Sequence, residues 1–121
     1  HALTHAILGA AGLGDIGELF PDTDAKFKDI SSIYLLEEAY KRVQSVGFVL
    51  TNADITIMAQ KPKLSKLKSK MEANIAQALN LSQSRINVKA TTTEGLGFVG
   101  RCEGIAVMAS ASLKFYDWTQ I

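Results

Sequence analysis

Cysteine is almost absent from this chain of 121 residues: Cys102 is the only one. That excludes an internal disulfide and a paired-cysteine metal site, and a reducing compartment is the simplest expectation. Proline occurs twice, at Pro21 and Pro62, and there is no low-complexity stretch or repeat, so no linker is visible. Residues 1–121 therefore read as one domain, long enough to bury a core. No apolar run approaches the roughly 20 residues of a membrane span. The net charge is only +1, so no global field draws in nucleic acid. A Gly-x-Ser-x-Gly elbow, a Walker A loop and a complete Gly-x-Gly-x-x-Gly are all missing, and Cys102 has no activating context. The chain opens on His1 rather than Met and shows no signal pattern. The expectation is a piece of a longer polypeptide, or a start that is processed or disordered.

The periodicities predict α+β, with a single sheet and helices on one face. Leu3, Ile7, Leu8 and Ala11 share a helical face over His1 to Gly12. Gly14 to Asp29 is rich in turn formers and reads as a loop. Ser31 and Ser32 are N-cap candidates for a helix carrying Tyr34, Leu35, Glu38, Ala39, Arg42 and Val43 and ending at Gly47. Thr51 to Gln60 alternates as a strand, with Ala53, Ile55 and Ile57 on one face. After the break at Lys61-Pro62-Lys63, Ser65 opens an amphipathic helix with Leu67, Met71, Ile75 and Leu79. Arg85 to Thr92 and Gly104 to Leu113 are strands, and a closing hairpin is one arrangement for them. Such a narrow sheet for so many helices points to further strands upstream.

The densest chemistry lies in Lys89 to Arg101, which holds Thr91, Thr92, Thr93, Glu94, three glycines and two cations. Hydroxyls and exposed N–H groups suit phosphate oxygens, and a carboxylate among them suits a divalent cation that neutralises those phosphates. As alternatives, Glu94 and Arg101 are plain surface charges and Lys89 a structural ion pair. His1 and His5 are spaced to share a helical face and meet a zinc ion, but the further ligands are not visible, and two histidines near a terminus are commonly incidental. Asp15, Asp22 and Asp24 suit sugar hydroxyls, or else turns and caps. Ala59 to Leu64 suits a flat base read by backbone groups, or else an ordinary strand-to-helix turn. Lys61, Lys63, Lys66, Lys68 and Lys70 read as a solvated helix face.

Three ordered stretches then match one pattern: His1-Ala2-Leu3-Thr4 through Gly14-Asp15-Ile16-Gly17 to Phe20-Pro21-Asp22-Thr23-Asp24; Ala59-Gln60-Lys61-Pro62-Lys63; and Val88-Lys89-Ala90-Thr91-Thr92-Thr93-Glu94 through Phe98 to Arg101. Together they resemble the 2-C-methyl-D-erythritol 2,4-cyclodiphosphate synthase family, nearly end to end. The resemblance implies a homotrimeric fold whose N-terminal strands are missing here. It implies a metal-dependent phosphorus–oxygen lyase of the non-mevalonate isoprene pathway in bacterial cytoplasm. The enzyme would convert 4-diphosphocytidyl-2-C-methyl-D-erythritol 2-phosphate to the cyclic diphosphate and CMP.

Residue by residue, the resemblance implies Zn²⁺ or another divalent metal at His1, and Mg²⁺ or Mn²⁺ at Glu94. Thr92 and Glu94 would be catalytic. Asp15, Ile16 and Gly17 would meet the ribose side, and Phe20, Pro21, Asp22, Thr23 and Asp24 would lie near the methylerythritol. Ala59, Gln60, Lys61, Pro62, Lys63 and Leu64 would form the cytidine pocket for substrate and CMP or CDP. Thr91, Thr92 and Thr93 would meet phosphates. Phe98 and Arg101 would face a cavity on the trimer axis that takes an isoprenoid diphosphate. Two departures matter: the upstream Asp-x-His zinc motif and the loop covering the phosphates lie outside this chain, and His5 stands where the family often has Asp. Lys114 to Trp118 runs past the usual end and resembles fusions of this domain with a cytidylyltransferase. The competing reading is a non-catalytic trimeric module that binds nucleotide or isoprenoid diphosphate, or that serves assembly in a larger fusion protein.

Overall fold

A computed structural model describes residues 1–21 and 30–119. Helix α1 spans Ala2–Ala10, and a single turn, α2, spans Ile16–Leu19. Helix α3 covers Ser32–Ser45. Its N-terminus is capped by Ser31, whose hydroxyl accepts from Tyr34 N at 3.4 Å, so the first of the two predicted caps is the one used. Strand β1 runs Phe48–Met58, α4 Lys68–Leu79 and β2 Ile86–Thr91, with a 3₁₀ turn at Gln83–Arg85 before it. Another short turn, α5 at Gly97–Gly100, leads to β3, Ala106–Phe115.

The sheet order is β2-β1-β3. β1 pairs parallel with β2, Ile55 opposite Val88, and antiparallel with β3, Ile55 opposite Ala109. The last two strands thus flank β1 rather than form a hairpin, because α4 returns β2 to one side and the chain then crosses to the other. Ile55, Ile57, Ile86 and Val88 are buried, and α1, α3 and α4 cover them with Leu3, Ile7, Leu8, Leu36, Ala39, Val43, Ala76 and Leu79. Helices on one face of one sheet is the predicted architecture. One extra residue in β1 between Leu50 and Asn52 shifts the register against β3. This bulge lets Leu50 and Ala53, three positions apart, both reach the core at 2% and 1% exposure.

Several boundaries differ from the expectation, among them β3, which runs Ala106–Phe115 rather than Gly104 to Leu113. The loop at 14–29 contains α2, too short to show a periodicity. Its N-cap is Asp15, whose Oδ1 accepts from Glu18 N at 2.9 Å. β1 starts at Phe48, where a ring stack on Phe115 (centroids 4.6 Å apart) adds three residues to the strand. Helix α4 begins at Lys68 instead of Ser65, so Lys61, Lys63 and Lys66 lie on the preceding turns rather than on a helix face.

The opposite sheet face is polar. Lys89 Nζ lies 2.7 Å from Asp54 Oδ2, and Asn87 Nδ2 donates to Asp54 Oδ1 at 2.9 Å. Lys89 is thus the structural ion pair of the bland alternative. The Lys89 bond first, then that from Asn87, lowers the Asp54 carboxyl from its ordinary value of 3.8. A lowered folded value stabilises the fold above the ordinary value and is lost as pH falls through the folded one. Asp54→Asn should therefore melt below the parent at neutral pH, and the gap should close as pH falls below the ordinary carboxylate range. Thermal melts across the acid range check this; a gap independent of pH would refute it.

Candidate functional site

Strands β1 and β2 are parallel and end at the same edge, where Ala59 N donates to Thr91 O at 2.9 Å. The two segments that leave there enclose a cleft of about 420 Å³. One wall is Ala59, Gln60, Pro62, Lys63, Leu64 and Ser65, with a cis Lys61–Pro62 peptide; the other is Ala90, Thr91, Thr92 and Glu94. Two motifs that the sequence places some thirty positions apart thus face each other across one opening.

The Thr-Glu wall is a tight turn. Thr93 Oγ1 donates to Leu96 O at 2.6 Å, and Leu96 N donates to Thr93 O at 3.0 Å. Glu94 N donates to Thr92 Oγ1 at 3.2 Å. Gly95 N donates across the cleft to Gln60 Oε1 at 3.3 Å, which ties the two walls together. Glu94 sits at φ +54°, a left-handed conformation that costs a non-glycine residue about 1–3 kcal/mol. These bonds sort the three threonines. The hydroxyl proton of Thr93 is committed to the turn, and that of Thr91 goes to Thr92 O at 3.1 Å. Thr92 Oγ1 only accepts, so its proton remains available to a ligand in the cleft. The Glu94 carboxylate takes no hydrogen bond or ion pair from a described residue.

A lone carboxylate beside hydroxyls suits Mg²⁺ or Mn²⁺, which keep several waters and take further ligands from phosphates. Glu94 therefore fits such an ion. His1 and His5 do share a face, with ring centroids 5.0 Å apart, but they line a separate opening beside Ile105 and Val107. Among the described residues no three His, Cys, Asp or Glu side chains come together as a metal-binding group. The further zinc ligands that the resemblance implies lie outside this chain, and His1 remains the residue here that would join them.

Several predicted residues lie elsewhere. Asp15 caps α2, Ile16 is buried, and Gly17 continues that turn. Phe20 is buried, with the Arg42 guanidinium 4.8 Å above its ring, and half-buried Pro21 follows. Asp22, Thr23 and Asp24 lie outside the described residues. Phe98 is half exposed, and Arg101 makes a two-pronged pair with Glu103, Nε to Oε1 at 2.9 Å and Nη2 to Oε2 at 3.1 Å. Neither lines the cleft. Lys61 is exposed on the turn bearing the cis peptide. Two lining residues were missed. Ser65 carried a signal in its hydroxyl two positions after Lys63, but reads as a helix start. Ala90 gives none, being apolar within a strand.

The YgbB family model matches residues 1–114. The bifunctional enzyme IspD/IspF of Campylobacter concisus is 97% identical over all 121 residues, which make up 32% of that relative. The structure of the bifunctional IspDF from Campylobacter jejuni superposes with TM-score 0.92 at 59% identity, over 98% of this chain and 33% of that one. A 2C-methyl-D-erythritol-2,4-cyclodiphosphate synthase in its CDP-bound form superposes with TM-score 0.86 at 35% identity, over 94% of this chain and 73% of that one. The chain thus spans about a third of the length of the curated relatives it matches. It belongs to the YgbB family, and the resemblance read from its three motifs is borne out.

Proposed function

We propose that this domain is a cyclodiphosphate synthase of isoprenoid biosynthesis. It would take 4-diphosphocytidyl-2-C-methyl-D-erythritol 2-phosphate to 2-C-methyl-D-erythritol 2,4-cyclodiphosphate and CMP. The observation that carries the reading is the single cleft shared by the Ala59–Leu64 wall and the Thr-Glu turn. The family and the CDP-bound relative support it.

In this reading cytidine lies against Ala59 to Leu64, where backbone groups around Pro62 read its edge and Lys63 meets phosphate charge. Thr91 and Thr92 face the diphosphate, and the free proton of Thr92 donates to the oxygen on which negative charge grows. An oxygen of the 2-phosphate attacks the β-phosphorus. The bond from that phosphorus to the oxygen bridging the α-phosphate breaks, and CMP leaves with both electrons. The reaction is intramolecular, so holding the two phosphates together supplies much of the rate. A Mg²⁺ or Mn²⁺ ion at Glu94 would neutralise charge that otherwise keeps them apart.

We further propose a homotrimer in which neighbouring copies complete each site, with Phe98 and Arg101 facing an isoprenoid diphosphate on its axis. Leu96, Phe98 and Met108 are large apolar side chains exposed at this end of the sheet, and an assembly would cover them. For Arg101, the anion would replace the carboxylate of Glu103. The free Cys102 suits the cytoplasm. No helix among the described residues is long and apolar enough to cross a membrane.

The test is CMP release by the full-length polypeptide with and without EDTA. Release should vanish with the chelator and return with Mg²⁺ or Mn²⁺. A folded, metal-loaded assembly that releases no CMP would replace this reading with the non-catalytic module.

A further inference from the structure

The start of α1 carries both histidines of the chain. His5 N donates to His1 O at 3.1 Å, so the two side chains stand one helical turn apart on one face. Their rings lie 5.0 Å apart, centre to centre, and are inclined at 76°. Both residues are exposed, and no hydrogen bond or ion pair from a described residue holds either ring. Ala2 and Ala6 lie beside them, and no lysine or arginine among the described residues lines the opening they share.

That separation is the separation of two ligands on one ion. A ring nitrogen about 2.0 Å from zinc puts its ring centre about 3.2 Å from the metal, and two such rings at the tetrahedral angle lie about 5.2 Å apart. Imidazole nitrogen suits zinc, copper or nickel, whereas Mg²⁺ keeps to oxygen. The rest of the lining, Ile105, Val107 and Ala109, offers no oxygen side chain to compete. The positive end of the α1 dipole opposes a cation here, but that effect is small beside two metal–nitrogen bonds.

We propose that His1 and His5 together chelate one late divalent transition ion, Zn²⁺ first among them, through one nitrogen of each ring. The resemblance assigns His1 alone, and the second imidazole comes from this chain's departure at position 5. Two donors on one rigid turn are already in place, so binding orders no loop. Water or groups beyond these residues fill the remaining positions. The protein then sorts its ions by donor type. A zinc-like ion goes to imidazole here, and Mg²⁺ or Mn²⁺ goes to oxygen at Glu94, the latter half resting on the cyclase reading.

The test uses the full-length polypeptide, stripped of metal with a chelator and dialysed, as parent and as His5→Gln. Zn²⁺ is added alone, and zinc X-ray absorption counts the imidazoles around it. The parent should show one imidazole more than the variant. It should also bind Zn²⁺ at least about tenfold more tightly in competition with a chromophoric chelator. Excess Mg²⁺ should not displace the zinc. An equal imidazole count in the two proteins, or a parent that binds no Zn²⁺, would overturn the proposal. Weaker binding by the variant with an unchanged count would overturn it too, because His5 would then be a neighbour of the ligand and not a ligand. The readout is bound metal rather than turnover, so a failure of CMP release counts against the cyclase reading alone.

Discussion

Glu94→Gln should lower CMP release on the order of a thousandfold while leaving melting temperature and assembly unchanged. The substitution keeps the size of the side chain and removes its charge. It also leaves the backbone bond from Glu94 N to Thr92 Oγ1 in place, so the turn has no reason to open. What disappears is the carboxylate that would hold a divalent ion against two phosphates. Losing that charge stabilisation costs several kcal/mol, at about 1.4 kcal/mol per factor of ten. Because no described residue partners the carboxylate, its removal strands no buried group. Steady-state CMP release over a Mg²⁺ titration, beside a thermal melt, decides the point. Near-normal release at saturating Mg²⁺ would remove Glu94 from the mechanism.

Gly100→Ala should damage both stability and activity although residue 100 touches no substrate in the reading given. A β-carbon there would lie 2.5 Å from Gly95 O and 2.6 Å from Gly95 Cα. Those neighbours are backbone, so no side chain can swing aside. Either α5 shifts outward and strains the bond from Gly100 N to Leu96 O, or the Glu94–Gly95 turn moves into the cleft. Overpacking of this kind costs about 1–3 kcal/mol. A displacement of about 1 Å at a reacting centre costs on the order of a hundredfold in rate. Gly9→Ala is the control: nothing lies within 4 Å of a β-carbon there, and within α1 the change should be neutral or stabilise by up to about 1 kcal/mol. A Gly100→Ala protein that melts and turns over like the Gly9→Ala protein would refute the close-packing argument.

What the sequence made legible depended on the range of the interaction. Helix α3 was plain from its Ser31 cap and the spacing of Leu35, Ala39 and Val43, all set within a few residues. The polar turn after β2 was plain for the same reason. The placement of β3 beside β1 was not, because strand order is decided by which face α4 and α1 cover, and no local pattern encodes it. Ile105, Val107, Ala109, Ala111 and Leu113 alternate with smaller partners along the last predicted strand, a pattern that does not say which of them the core takes. In the fold only the last three are tucked against the core, while Ile105 and Val107 stay about half exposed beside His1 and His5. Both walls of the cleft were found as motifs, yet their meeting was not derivable. Gln60 and Gly95 are 35 positions apart, and nothing near either one names the other. Asp15 shows the opposite limit: the same carboxylate suits a cap or a sugar, and its bond to Glu18 N leaves the second oxygen open to the latter.

The central position of β1 also sets the order in which the domain can acquire its shape. Among the described residues, β1 has no partner strand until residue 86 is available, and its outer pairing joins Phe48 to Phe115, 67 positions later. Closing loops of that length precedes any gain from the contacts, which slows folding relative to a helical bundle of equal size. During synthesis, N-terminus first, α1 and α3 emerge early with apolar faces and no finished sheet to cover. The bare edges of β1 are then open to pairing with other chains. The domain is therefore most vulnerable to aggregation between completion of β1 and arrival of β3. Substitutions that weaken the β1–β3 ladder should show first as lost soluble yield, before any loss of specific activity in the molecules that do fold.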